Sequence, residues 1–566
     1  MPRFAAALSS LALLLTLAIG ASVAAQDGTP VATRLAGGDR VLRIHQGVSP
    51  STLDPQMISF VGEIGVAALD FEGLTRLAGD LGTVPAAAES WEFSEGQLTL
   101  TFTLREGLTY ADGSPLTAED FRYAIERTCD PRTAAPYAVI LFDVVGCEAL
   151  NASLGNGETA GATPTADAEA AHRDALAALG ARALDDRTLE IRLAQPAAYF
   201  PTIASTWVLF PSPRAAVEAN PEGWWRDPAA RVGNGPFRLA RFEEGDQARI
   251  GFVPNERYWA GRPNLDGIEF VVYPDSADAL AAFNRGELDI AFPSAASAAT
   301  VQDDANLAAA LTRYPSAGTL MLSFNLDQEP FGDPAVREAF ALAFDRESYC
   351  REIEHGACVP ALSWIPPDVP GRIETDAWAF DPEAARQALA ASSYGGPEAL
   401  PPVTYTYPDL DQAAAEWIAA GYRDVLGVEI VLAPVTADGY FGGLLADPAT
   451  RPQLALDGWF QDYPDPQNWL TLNWTCDSTL YATVVGYCNP AFDDLVARAD
   501  REPDPVTRIA LYEEAGRLLV ADAPAVFFSH PANVAVIAPR VVGYDVTSAD
   551  PWPGWTSVLT IDIAAP

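Results

Sequence analysis

Phe102-Thr103-Leu104-Arg105-Glu106-Gly107, running on into Asp112-Gly113-Ser114-Pro115-Leu116-Thr117-Ala118-Glu119-Asp120-Phe121, holds within one short stretch the two periodicities from which the fold is read. Residues 97–104 alternate, with Leu98, Leu100, Phe102 and Leu104 on one face, the period of a half-buried strand. Ser94-Glu95-Gly96 before it is a turn signal, which makes Trp91-Glu92-Phe93 its hairpin partner. Thr117 then opens a helix as N-cap, with Asp120 three residues on. Phe121, Ile125 and Cys129 follow at i, i+4, i+8 and stack on one helical face.

The same alternation of strand and helix continues outward. Leu189, Ile191 and Leu193 give another alternating strand, and a strand pair is expected between Gly233 and Arg249. Asp333-Pro334, Asn489-Pro490 and Asp504-Pro505 each pair a capping residue with a proline at the first helical position. The helices they open carry Val336, Phe340 and Phe344, then Phe492, Leu495 and Val496, then Ile509, Tyr512 and Leu519; Pro524 ends the last. Residues 151–171, rich in Gly, Ala, Thr and Asp, read as a surface insertion. Strands and helices interspersed along the whole chain predict mixed α/β lobes, and 566 residues exceed one ordinary core, so two or more lobes are expected.

The N-terminus sets the compartment. Arg3 is the only charge in the first 26 residues, Leu8 to Ile19 is an apolar run too short to span a bilayer, and Val23 and Ala25 stand at −3 and −1 of a cut before Gln26. Residues 1–25 therefore read as a signal peptide and 26–39 as a flexible leader, placing the protein outside the cytoplasmic membrane, periplasmic or extracellular and associated with the cell envelope. No cysteine lies near the cut to take a lipid. Acidic residues number 76 against 35 basic ones, every one of the latter arginine, for a net charge of −41. Such a surface repels nucleic acid and anionic lipid.

Six cysteines form three near pairs, Cys129 with Cys147, Cys350 with Cys358 and Cys476 with Cys488. Neighbour pairing is the simplest of the 15 possible connectivities, and an exported chain can oxidise them. No clustered Cys or His spacing suits a metal, no cofactor is implied, and HExxH, GxSxG and GxxxxGK[ST] are all absent.

Several further segments, in order, carry a resemblance: Leu53-Asp54-Pro55; Phe71-Glu72-Gly73-Leu74; Val84-Pro85-Ala86; Ala88-Glu89-Ser90-Trp91; the stretch quoted at the outset; Gly233-Asn234-Gly235-Pro236-Phe237; Asn255-Glu256-Arg257-Tyr258-Trp259; Arg285-Gly286-Glu287-Leu288-Asp289-Ile290; Val336-Arg337-Glu338-Ala339-Phe340; and Asp462-Tyr463-Pro464-Asp465-Pro466. Together they resemble the bacterial extracellular solute-binding proteins of family 5, the dipeptide- and oligopeptide-binding class. The resemblance implies a two-lobed periplasmic-binding-protein fold of the class II type with an additional domain on the first lobe. It divides the chain into lobe 1 (40–72), the additional domain (73–200), lobe 1 again (201–316), lobe 2 (317–530) and a C-terminal return to lobe 1 (531–566). It implies a monomer that closes by hinge motion over a peptide, makes and breaks no bond, and delivers its ligand to the permease subunits of an ABC importer.

By the same resemblance Asp462 holds the ligand's α-ammonium group, a role that charge-assisted hydrogen bonding makes physically sound; an aspartate there would equally stabilise a Pro-rich turn. Gly458 and Trp459 would offer backbone to an extended peptide and a pocket wall, Asn325 would sit near the hinge, and Trp469 and Trp474 would face the cleft. Oligopeptide binders of the enteric type carry an arginine six residues before this aspartate, where this chain has Leu456, so the ligand's carboxylate has no evident partner. Two other readings stay open: a binder of another solute on the same fold, an oligosaccharide or a metal chelate, of which the sugar would be marked by an aromatic cleft with Asp462 turned away, and a secreted hydrolase, marked by two carboxylates facing each other across the cleft.

Overall fold

Residues 39–154, 165–245, 247–294, 297–436, 439–440, 450–478 and 481–564 are described by a computed structural model. Residues 1–38, on which the expected signal peptide and nearly all of the expected leader fall, lie outside the described residues. No helix among the described residues is long and apolar enough to cross a membrane.

The opening stretch folds into Ala88–Phe93 paired antiparallel with Thr99–Leu104, Trp91 opposite Phe102. Leu100, Phe102 and Leu104 are buried, but Leu98 stays 48% exposed. Gln97 takes a positive φ of 57°, and the regular strand starts only at Thr99, so the inward face begins one step later than the alternation suggests. The helix is Ala118–Cys129, where the Asp120 carboxylate accepts the Thr117 N–H at 2.7 Å and Phe121, Ile125 and Cys129 are fully buried. Thr188–Arg192 and Ala181–Ala183 complete a four-stranded sheet. Part of the expected surface insertion is instead the helix Ala166–Ala178, whose first turn is capped by the Thr165 hydroxyl. Its alanines have the highest helix propensity, which overrides the low-complexity reading; residues 155–164 lie outside the described part.

Twelve strands of the described residues join in one continuous sheet. At its centre runs the long strand Ala525–Ile537. Its first part pairs with Gly318–Phe324 and Cys358–Pro360, and its last part with Leu311–Pro315 and Ile290–Ala291. Both ends are buried, while residues 531–534 between them are only half-buried. On one side the sheet continues through Leu454–Phe460, Val403–Pro408 and Ile430–Val435, on the other through Val41–Gln46, Gly267–Val272, Arg249–Pro254 and Phe237–Phe242. Separate apolar cores flank the two halves: one around Phe324, Phe340 and Tyr405 and another around Trp364 and Tyr512 on the first side, one around Phe71, Phe102 and Phe270 on the second. The result is two α/β lobes joined at a narrow waist, with the four-stranded sheet as an additional domain sharing a core with one lobe.

The Leu53-Asp54-Pro55 turn ties that domain in place. The buried Asp54 carboxylate accepts Arg127 Nη1 and Nη2 at 2.9 and 2.8 Å and Trp224 Nε1 at 2.9 Å, bridging the helix Ala118–Cys129 to the first lobe. A carboxylate removed from water needs such multiple charge-assisted partners.

Three disulfides join Cys129 to Cys147, Cys350 to Cys358 and Cys476 to Cys488, and no described cysteine is free. Loops of this size contribute about 2–3 kcal/mol each in the chain-entropy model. Alkylation of exported, denatured protein followed by intact-mass measurement is expected to find no reactive thiol without prior reduction; any alkylated cysteine would break the assignment.

Candidate functional site

A cavity of about 450 Å³ opens between the lobes. Its floor on one side is Phe460, the last residue of the strand Leu454–Phe460, with Gln461 and Asp462 after it; most of the remaining lining comes from residues 61–77, 205–210 and 548–559. The walls are mostly apolar, with Phe71, Trp207, Phe210 and Trp555 as the large side chains.

Three acids line this space, and their partners separate them. Glu72 spends both oxygens on the protein, accepting Tyr258 Oη at 2.5 Å and Trp259 Nε1 at 2.6 Å. Asp550 does the same with the backbone N–H groups of Thr547 and Thr556, at 2.7 and 2.8 Å. Asp462 differs: Oδ2 accepts Asn468 Nδ2 at 2.8 Å, and Oδ1 has no partner among the described residues. Burial pushes the Asp462 carboxyl up to about 7, against the opposing pull of the Asn468 hydrogen bond. An acid held so far from its ordinary range is a group waiting for a counter-charge.

The aspartate is held firmly. Asn468 Oδ1 also accepts the Asp462 N–H at 3.0 Å and Trp459 Nε1 at 3.2 Å. Asn468 belongs to the short helix Pro466–Trp469, capped by Asp465, and Asp465 is gripped by Arg508 through Nη1 at 2.9 Å and Nη2 at 2.5 Å. The Asp-Tyr-Pro-Asp-Pro run is therefore a support for its first residue as well as a turn.

The other expected site residues fall elsewhere. Trp459 is outside the cavity lining, edge-on to Tyr481 at 6.2 Å. Gly458 pairs with Leu320, where a Cβ would stand 2.8 Å from the Thr319 carbonyl oxygen, and its own carbonyl accepts the Tyr481 hydroxyl. Asn325 is buried away from the cavity, donating to the Arg451 carbonyl at 3.2 Å and accepting the Asp327 N–H at 3.2 Å. Trp469 and Trp474 are fully buried in the core around Trp364, to which Trp469 lends its carbonyl at 2.7 Å. An indole in a core and an indole in a cleft look alike in sequence.

Other lining groups escaped the sequence. Gln461 Oε1 and Ser548 Oγ are buried on the cavity wall, one from each side, with no hydrogen-bond partner among the described residues. Tyr137, from the additional domain, stands behind the lining, edge-on to Trp207 at 5.2 Å; burial and then the Asp462 charge raise its hydroxyl. No residue pattern announces these positions. The motifs, by contrast, converge on one wall: Asn234 accepts the Glu72 N–H and donates to the Glu72 carbonyl, each at 2.9 Å, and Asn255 donates to the Gly235 carbonyl at 2.8 Å. No described group of three or more His, Cys, Asp or Glu is placed to hold a metal ion.

The chain matches the family described as bacterial extracellular solute-binding proteins, family 5 middle, over residues 82–480. It is 29% identical to the dipeptide-binding protein DppE of Bacillus subtilis, the alignment covering 86% of each chain. It is also 29% identical to the probable deoxycholate-binding periplasmic protein YgiS of Escherichia coli, over 94% of this chain and 95% of that one. The solved OppA of Burkholderia pseudomallei superposes with a TM-score of 0.74 at 26% identity, over 93% of this chain and 99% of the other. With its two lobes, its added domain and an acid facing the space between them, this chain belongs to the bacterial extracellular solute-binding proteins of family 5.

Proposed function

We propose that the protein is the extracytoplasmic receptor of an ABC importer, binding a peptide by its α-ammonium group in the cavity between the lobes and releasing it unchanged to the permease. The observation that carries this reading is the free oxygen of Asp462. Of three acids around the cavity it alone has an oxygen with no donor among the described residues, and an ammonium group enclosed there requires a fixed counter-charge. Gln461 and Ser548 supply hydrogen-bonding capacity for peptide groups. The names of DppE and OppA agree with a peptide ligand.

The division into lobe 1 (40–72, 201–316, 531–566), additional domain (73–200) and lobe 2 (317–530) fits this reading, as does export by residues 1–25. Closure would bend the two crossings of the waist, near residues 315–318 and 530–533. The name of YgiS points to an amphipathic acid, which the apolar walls would suit but Asp462 would repel. For a hydrolase, Glu72 or Asp550 would have to act as Asp462's partner, and in both each oxygen already holds an internal donor.

Calorimetric titration with trileucine, chosen for the apolar walls, is expected to show one site per chain, with the peptide recovered intact after prolonged incubation. Cleaved peptide would overturn the binding-protein reading; no heat with any of a set of free peptides would overturn the peptide reading.

A further inference from the structure

Leu456 is outside the cavity lining, but one basic side chain belongs to it. Arg76, on the short strand Thr75–Leu77, is the one basic side chain among the described lining residues. It makes no hydrogen bond or ion pair with any described residue and is exposed where it meets the cavity. Most of the arginines around it are committed: Arg105 lies over the Trp259 ring at 3.7 Å and donates to the Ala86 carbonyl, and Arg231 is locked to Asp70. Arg76 does pull the Glu72 carboxyl down, but only through its charge: the two Glu72 oxygens are held by Tyr258 and Trp259. Asp462 carries no imprint of Arg76, its shift arising from burial and Asn468 alone, so the two do not bridge directly.

Resting on the peptide reading above, we infer that Arg76 is the anchor for the ligand's terminal carboxylate, so that Asp462 and Arg76 together select short zwitterionic peptides with apolar side chains. An extended dipeptide reaches about 7 Å and a tripeptide about 10 Å, and Asp462 and Arg76 line one cavity of about 450 Å³ from segments far apart in the chain. The guanidinium fork matches a carboxylate bidentately, and the apolar walls between the two charges take the side chains.

The test titrates trileucine and its C-terminal amide into the unaltered protein, Arg76→Gln and Arg313→Gln. Arg313 is the control: it also lacks a described partner, but it lines a second cavity of about 490 Å³ on the far side of Asn533 and Pro551. Amidation is expected to weaken binding about tenfold in the unaltered protein and in Arg313→Gln, and to make no difference in Arg76→Gln. The proposal is overturned, with the peptide reading intact, if the amide binds the unaltered protein as tightly as the acid, or if the discrimination survives in Arg76→Gln or vanishes in Arg313→Gln. Binding of neither peptide to the unaltered protein would overturn the selection of short apolar peptides, and silence across the whole set of free peptides would take the peptide reading down as well. Circular dichroism of Arg76→Gln, an exposed position, is expected to match the unaltered protein.

Discussion

Asp462→Asn is expected to lower the affinity for trileucine about a hundredfold while leaving the fold intact. Removing the partner of an enclosed charge costs about 2–5 kcal/mol, because the ligand ammonium stays buried without a counter-charge; two decades correspond to about 2.7 kcal/mol. The shape of the site survives, since asparagine fills the same space and Asn468 remains to hold it. N-acetyl-trileucine, which has no ammonium, should bind the unaltered protein as weakly as the free peptide binds the variant, and should not distinguish the two proteins. Equal affinities of the two proteins for trileucine would remove Asp462 from the site.

The pH dependence follows from the raised carboxyl. Only ionised Asp462 attracts an ammonium group, so affinity should climb as pH rises towards about 7. It should level off there and fall again as the peptide amine loses its proton near 8. In Asp462→Asn the rising limb should vanish. The same shift has a consequence for stability. The folded carboxyl keeps its proton up to about 7, whereas an unfolded aspartate loses it near 3.9. Its contribution is therefore fully present below about pH 4 and is lost as pH rises through about 7. Unliganded Asp462→Asn, with no charge to bury, should accordingly unfold at higher denaturant than the unaltered protein at pH 8 and at the same denaturant at pH 4. The binding site carries a cost in stability that ligand relieves.

Gly233→Ala is expected to destabilise the first lobe by about 4 kcal/mol or more and to abolish ligand binding with it. A Cβ at this position would sit 1.6 Å from the Asp70 carbonyl oxygen, a backbone atom that no rotamer change can move away. Asp70 is itself pinned: its carboxylate is bound by Arg231 at 2.7 and 2.9 Å, both residues are fully buried, and its carbonyl accepts the Gly235 N–H at 2.9 Å. The two backbones can separate only by breaking these bonds, and the segment displaced would be Phe71-Glu72-Gly73, which forms a cavity wall. Urea unfolding and trileucine titration check the two halves of the statement. An alanine variant with the parental midpoint would show that the segments are not in the contact described. At Gly107, by contrast, nothing lies within 4 Å of an added Cβ and only the positive φ of 74° resists substitution, so Gly107→Ala should cost about 1 kcal/mol and spare binding.

Local chemistry was legible wherever the chain interacts with its own near neighbours. The Asp333-Pro334, Asn489-Pro490 and Asp504-Pro505 pairs open helices at those positions because an N-cap and a proline at the first turn act within a few residues. The cysteine pairs close loops of 8 to 18 residues for the same reason of proximity. Leu98 and the helix Ala166–Ala178 mark the edge of this legibility. One positive φ delayed the start of an alternating pattern, and helix propensity outweighed a composition that looked irregular.

By itself, then, the amino-acid order determined the α/β class and the helix starts and made neighbour pairing of the cysteines the simplest choice, since each depends on residue type and short-range spacing; Asp462 stood out only through the family resemblance, its spacing alone fitting a Pro-rich turn equally well. Tertiary structure alone decided which polar atoms are left over. Glu72 and Asp550 became silent, and Asp462 and Arg76 remained available, because donors from distant segments either reach a side chain or do not. The tryptophans were settled the same way: whether an indole faces a cleft or a core depends on what packs across from it, and that partner lies tens or hundreds of residues away in the chain.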